Sequence, residues 1–162
     1  GVWCSRKVFD HKPKSHVDIG SQAQMVGIIS QFVPTTMVDI RPLSVSLPEL
    51  KFIKGDITNL PFEDDSLESL SSICVIEHIG LGRYGDELDQ FGTENGRLYI
   101  TVPVDKANKV YFNAHRAFTR EFILNQFAPL NLMEEKYIYG NEMTSSYKPE
   151  LGFGTGLFCF TK

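Results

Sequence analysis

Apolar residues along the chain gather in short runs broken by Gly, Pro and charged residues, and only two stretches carry helical spacing. Residues 16–20 (HVDIG) predict a strand that ends at a glycine. Residues 22–32 place Met25, Ile28, Ile29 and Phe32 at spacings of 3, 4 and 7, one face of a helix, and Pro34 stops it. Residues 36–40 and 50–57 predict a second and a third strand, followed by a polar turn at 61–66 (PFEDDS). Residues 69–76 form a nearly continuous apolar run toward their end, as suits a strand covered on both faces. Residues 98–104 predict a fifth strand. Residues 119–128 predict a helix with Thr119 as N-cap, Glu121 in its first turn and Phe122, Ile123, Gln126 and Phe127 as its inner stripe. Residues 132–139 and 153–160 close the chain as two strands. Strands alternating with helices predict an α/β fold: a doubly wound, mostly parallel seven-stranded sheet with an antiparallel hairpin at one edge.

Length and composition add limits to that picture. A chain of 162 residues with 42% hydrophobic and 22% charged residues is ordinary globular material, large enough to fold around one core. The expectation is an extension over 1–14, whose Arg6, Lys7, Lys12 and Lys14 read as a solvated segment, and a single domain over 15–162. The formal net charge of −4 makes nucleic acid a poor default partner. No apolar run is long enough to span a membrane, and the opening GVWCSRK lacks the apolar stretch of a secretory leader. The three cysteines are odd in number and show no metal-ligand spacing, so no metal is expected. Cys74 and Cys159 read as small core residues in a reducing, cytoplasmic setting. The oligomeric state stays open, with a homodimer among the options.

Candidate chemistry stands at the ends of the predicted strands. In an open α/β sheet, ligands bind beyond the carboxyl ends of the strands. Here those ends carry Asp18-Ile19-Gly20-Ser21, Asp39-Ile40, Asp56-Ile57 and Glu77-His78, an acid at each of four. Asp39 lies 19 residues after Gly20, where a dinucleotide-type fold holds ribose hydroxyls, because one carboxylate accepts two neighbouring O–H groups. The glycine-rich phosphate loop is absent, since Ser21 and Gln22 follow Gly20. That disfavours a nicotinamide or flavin dinucleotide and favours S-adenosylmethionine, which carries an amino-acid tail instead of a pyrophosphate.

The motifs HVDIGS, VDIRP, KGDITNLPFEDDS, CVIEHIGLGRYGD and GRLYITVPV together resemble the class I S-adenosylmethionine-dependent methyltransferases. The later FNAHRAF at 112–118 and the closing GLFCFTK resemble a family of uncharacterised methyltransferase-like proteins, some linked to surface-polysaccharide synthesis. The resemblance implies that Asp18, Gly20 and Ser21 lie beside the methionine tail, and that Asp39 and Ile40 lie at the ribose. It likewise places Asp56 and Ile57 at the adenine, and Glu77 at the donor end. The resemblance places His78 beside Glu77, facing donor and substrate; the expected acceptor is a small molecule or sugar, and if it is a hydroxyl a base is needed, for which His78 is the candidate. His115 and Arg116 are candidate grips on an anionic acceptor group, and Tyr84, Asp86 and Tyr111 are candidate walls. The alternative is a non-catalytic binding module of the same fold, because the first loop departs from the family's glycines at Ser21 and Gln22. The family's helix between the fourth and fifth strands has little room between Gly80 and Gly96, which leads us to expect residues missing around 91–95.

Overall fold

The computed structural model describes residues 1–44, 46–57, 59–78, 96–112, 114–128 and 130–162. The stretch proposed to lack residues, around 91–95, lies outside them, as do Tyr84 and Asp86. Strand β1 (His16–Ile19) runs parallel between β2 (Thr35–Asp39) and β4 (Ser69–Ile73). β3 (Leu50–Lys54) extends the parallel half beyond β2, and β5 (Arg97–Val104) extends it beyond β4. β10 (Gly154–Thr161) is antiparallel to both β5 and β8 (Asn131–Tyr139), the predicted pairing of the two late strands. The short β9 (Glu142–Thr144) turns back from β8 at Gly140, whose φ of 59° suits the hairpin. It makes the sheet eight-stranded rather than seven, in the order β3-β2-β1-β4-β5-β10-β8-β9. A separate ribbon of β6 (Lys109–Val110) and β7 (Arg116–Ala117) sits past the end of β5.

Alternation along β5 and β10 sends successive side chains to opposite faces. One face carries Ile73, Tyr99 and Cys159 under α1 (Val2–His11) and α2 (Ala23–Ile29). The other carries Ile100, Val102, Phe158 and Phe160 under α3 (Arg120–Gln126). Beside α3, Ile57, Leu60 and Leu67 of the β3–β4 connection cover Val17, Val38 and Leu70. Ile76 and Leu98 touch both of these clusters and join them into one layer.

Three expectations need correction. Residues 1–14 are not solvated throughout: Arg6, Lys12 and Lys14 are exposed as expected, but α1 buries Cys4 and Val8 completely, sets Trp3 edge-on to Tyr99, and pairs Lys7 with Glu134. Its i, i+4 apolar pair was hidden among the charges that line its outer side. The α2 stripe is turned by one position: Val26 and Ile29 face the sheet with Val33, while Ile28 is 62% exposed and Phe32 meets Phe9 at the rim. Residues 25, 28 and 32 have the same spacing as 26, 29 and 33, so periodicity could not choose between them. In α3, Ile123 is buried with Leu124 and Phe127 against the core, whereas Gln126 points out and Phe122 stacks on Phe118 near the surface. The Thr119 cap is as expected, its Oγ1 accepting the Phe122 N–H at 3.2 Å.

The two neighbours on α3 give a direct test. Ile123→Ala should cost about 2–5 kcal/mol in urea unfolding, and Phe122→Ala less than about 1 kcal/mol, as for a side chain at the surface.

Candidate functional site

The carboxyl ends of the parallel strands surround a cavity of about 780 Å³. Gly20, Ser21, Asp39, Ile40, Ile57 and His78 all line it. The turn after β1 is forced by packing. Gly20 has φ 71°, and a Cβ there would lie 3.0 Å from Val75 Cγ1, so a glycine is required. Gly55, after β3, similarly leaves no room, since a Cβ would lie 2.8 Å from Val38 Cγ1. These two close approaches bring the segments after β1 and β4, and the end of β2 and the segment after β3, together at the cavity.

The four strand-end acids do not share one environment. Asp18 is wholly buried behind the cavity wall and does not line it. Its Oδ1 accepts the Ser21 N–H at 3.1 Å, and its Oδ2 accepts the Ser21 hydroxyl at 2.7 Å and the Ser71 hydroxyl. Burial outweighs these bonds and pushes its carboxyl up to about 6. Asp39 faces the cavity. Arg41 donates to its Oδ1 from the backbone N–H at 2.8 Å and from Nε at 3.0 Å, and to its Oδ2 from Nη2 at 2.7 Å. Burial alone would raise this carboxyl, but the Arg41 fork and backbone win and hold it below its ordinary value. Asp56 is bridged to Asn59 and stands outside the cavity lining, although Ile57 beside it lies within. Glu77 is 3% exposed, on the single helical turn Ile76–His78, and among the described residues no donor reaches its Oε2. Desolvation pushes it up to about 7.

His78 lines the cavity and leads to an aromatic cluster beside it. Its ring meets that of His115 at 6.4 Å, and His115 in turn meets Tyr111 at 5.3 Å and Phe153 at 5.4 Å. Tyr111 donates its hydroxyl to Asp105 Oδ2 at 2.6 Å, a bond that raises the phenol's titration, and Lys109 pairs with the same carboxylate. The ribbon of β6 and β7 thus brings His115, Tyr111 and His78 together, with Arg116 on β7 next to them in sequence.

Sequence reasoning missed three residues here. Cys74 is exposed and lines the cavity, not the core, because β4 ends at Ile73 and Cys74 turns away with φ 57°. A left-handed cysteine is uncommon, and no sequence pattern announces it. Arg41 follows Asp39 by two positions, a visible neighbour whose fork only side-chain geometry reveals. Phe153, at the start of the last predicted strand, is 49% exposed and joins the aromatic cluster.

No family model matches the chain, and no curated protein matches it. Many solved structures do. Geranyl diphosphate C-methyltransferase from Streptomyces coelicolor, in complex with S-adenosyl-L-homocysteine, aligns at TM-score 0.67 and 10% identity, over 99% of this chain and 80% of that one. Coclaurine N-methyltransferase, bound to N-methylheliamine and S-adenosyl-L-homocysteine, aligns at TM-score 0.65 and 11% identity, over 99% and 70%. The fold is that of the class I methyltransferases. The same methyltransferase fold is shared with the [4+2]-cyclase SpnF, at TM-score 0.70 and 10% identity over 91% and 75%. A common fold at such identity leaves the reaction to be argued from the site.

Two titrations check this electrostatic picture. A buried acid held above its unfolded value penalises folding once the unfolded chain ionises. Glu77 should therefore cost stability progressively from about pH 4.5 to about pH 7 and fully above that. Glu77→Gln should flatten this part of the stability–pH curve in chemical denaturation across that range. Arg41→Ala should raise the Asp39 carboxyl titration, as read by carboxyl-carbon NMR.

Proposed function

We propose that the chain is an S-adenosylmethionine-dependent methyltransferase acting on a small-molecule or sugar acceptor. The observation that carries this reading is the cavity itself, placed across the carboxyl ends of β1, β2 and β4 with Asp39 on its wall and His78 on its rim. The lining fits an adenosyl group: a carboxylate able to accept two ribose hydroxyls, apolar Ile40 and Ile57 for the purine side, and a thin glycine turn for the amino-acid tail. Solved neighbours of this fold carry S-adenosyl-L-homocysteine, which supports the same ligand here.

S-adenosylmethionine supplies a methyl group activated on a sulfonium sulfur. The protein's task is then mainly to hold donor and acceptor in line. Asp39 would orient the ribose once the Arg41 fork yields, and Gly20 and Ser21 would receive the tail. Asp18 supports that turn from behind, and Asp56 would serve the adenine edge from just outside the lining. Glu77 would shape the donor end without touching solvent. His78 would take the acceptor's hydroxyl proton as the acceptor oxygen bonds the methyl carbon and the carbon–sulfur bond breaks, so that S-adenosyl-L-homocysteine would leave as a neutral thioether. Tyr111, His115 and Arg116 would hold the acceptor, with Tyr84 and Asp86 as further wall residues.

The second reading is a non-catalytic binding module, or a protein that uses the same cavity for other chemistry. The shared fold of a [4+2]-cyclase favours keeping it in view. Calorimetry with S-adenosyl-L-homocysteine tests the cavity, and turnover of labelled S-adenosylmethionine separates the readings. Saturable binding is expected, and Asp39→Ala should weaken it by roughly 1.5–3 kcal/mol, the worth of hydrogen bonds to a charged group. A folded protein that shows no binding at millimolar ligand defeats the proposal. Binding without methyl transfer to any sugar or small-molecule acceptor favours the module.

A further inference from the structure

Behind the cavity, on the face covered by α1, lies a chain of buried polar side chains that the reaction itself does not use. His16 Nδ1 lies 2.8 Å from Ser69 Oγ, and His16 Nε2 lies 3.0 Å from Ser71 Oγ. Ser71 Oγ reaches Asp18 Oδ2. Asp18 in turn holds the N–H and hydroxyl of Ser21, and the Ser21 Oγ accepts the Ile73 N–H at 3.0 Å. None of His16, Asp18, Ser21, Ser69 and Ser71 is more than 2% exposed.

The protons in this chain can be counted. A carboxylate only accepts, so the Ser71 hydroxyl proton points at Asp18. Ser71 must then accept from His16 Nε2–H, which leaves His16 Nδ1 to accept the Ser69 hydroxyl. Every group is satisfied with His16 neutral and Asp18 ionised. Protonating Asp18 removes the charge that strengthens all three donor bonds, and such charge-assisted bonds are roughly twice as strong as neutral ones. Two of the three belong to Ser21, which lines the cavity beside Gly20.

We propose that His16 and Ser71 are positioning residues that act through Asp18 to hold the Gly20–Ser21 turn in its ligand-receiving shape, so that adenosyl-ligand affinity depends on Asp18 being ionised. This rests on the reading of the cavity given above. The groups facing Asp18 are His16 on its own strand, Ser71 on β4, Cys4 on α1 and Asp39 on β2. Burial holds His16 down at about 3 and Cys4 up at about 12, and Asp39 sits below its ordinary value. None of the three changes charge between pH 5 and pH 8, whereas Asp18, pushed up to about 6, does.

The test has two readouts on the full chain, across pH 5–8. The first is hydrogen exchange and NMR of the Ser21 amide in the free protein, together with the Asp18 carboxyl carbon. The second is the dissociation constant of S-adenosyl-L-homocysteine. The Ser21 amide should lose protection as Asp18 protonates, and the midpoint should move to higher pH in Ser71→Ala. Ligand affinity should fall about tenfold from pH 8 to pH 5, and Asp18→Asn should abolish that part of the dependence. Titration of the ligand, Glu77 or His78 is common to both proteins and cancels in the comparison. Thermal melts verify that each variant is folded, and Ser71→Thr, which keeps the hydroxyl, should restore wild-type behaviour if Ser71→Ala does not fold. A Ser21 amide indifferent to the Asp18 titration, or equal pH profiles for wild type and Asp18→Asn, overturns the inference even if the ligand binds. A responsive amide with no ligand binding at any pH overturns the cavity reading and upholds the positioning of the turn.

Discussion

A carboxylate with no access to water must be met by donors, and Asp18 imposes that demand at the middle of the sheet. β1 is flanked by β2 and β4 on its two edges, with α1 above Asp18, so no solvent can do the work. The donors come from Ser71 on the adjacent strand and from Ser21 just beyond the turn. Meeting the demand therefore ties strand β4, strand β1 and the cavity-lining turn into one unit. It also explains why serines occupy β4 at 69, 71 and 72 in a strand that is buried throughout. Ser69 and Ser71 satisfy the His16–Asp18 side, while Ser72 donates to the Ile19 carbonyl at 3.1 Å.

The acids at the strand ends divide by the same logic of which way each side chain points. Asp39 opens onto the cavity and keeps its charge because Arg41 forks onto it. Such a pair, with the arginine largely in solvent, is worth little to stability. Its effect is on charge, since the fork and the Arg41 N–H hold the carboxyl ionised at the cavity wall. Glu77 has the opposite situation, buried without a donor on Oε2 among the described residues, and its charge is disfavoured. A row of acids that looks uniform in sequence is thus a buried support, a cavity-facing carboxylate paired with an arginine, an acid at a loop bridge and a desolvated acid.

Much of the architecture was legible beforehand. The apolar runs located β1 to β5, β8 and β10 within a few residues, because short runs bounded by Gly, Pro and polar turns mark strands whether they are buried throughout, like β1 and β4, or partly exposed, like β3 and β8. The ends were less legible. β4 stops at Ile73 rather than Ile76 because Cys74 adopts a left-handed turn, a decision of local backbone packing around Val75 and Gly20. α1 went unread because its two fully buried residues, Cys4 and Val8, are small and sit among charges. In α2 two stripes of equal spacing compete, and only the position of the sheet selects Val26 and Ile29.

By itself, then, the sequence determined the order of the seven main strands with α2 and α3 between them, the parallel α/β class and the fact that acids stand where those strands end. These are local matters, set by periodicity and by which residues a strand or a turn tolerates. The tertiary structure alone decided that β10 inserts between β5 and β8, and that His78, His115, Tyr111 and Phe153 converge. It alone decided that Asp18 turns inward while Asp39 turns to the cavity. Those outcomes depend on contacts between residues far apart in the chain, and on the cost of burying each charge, which no local pattern encodes.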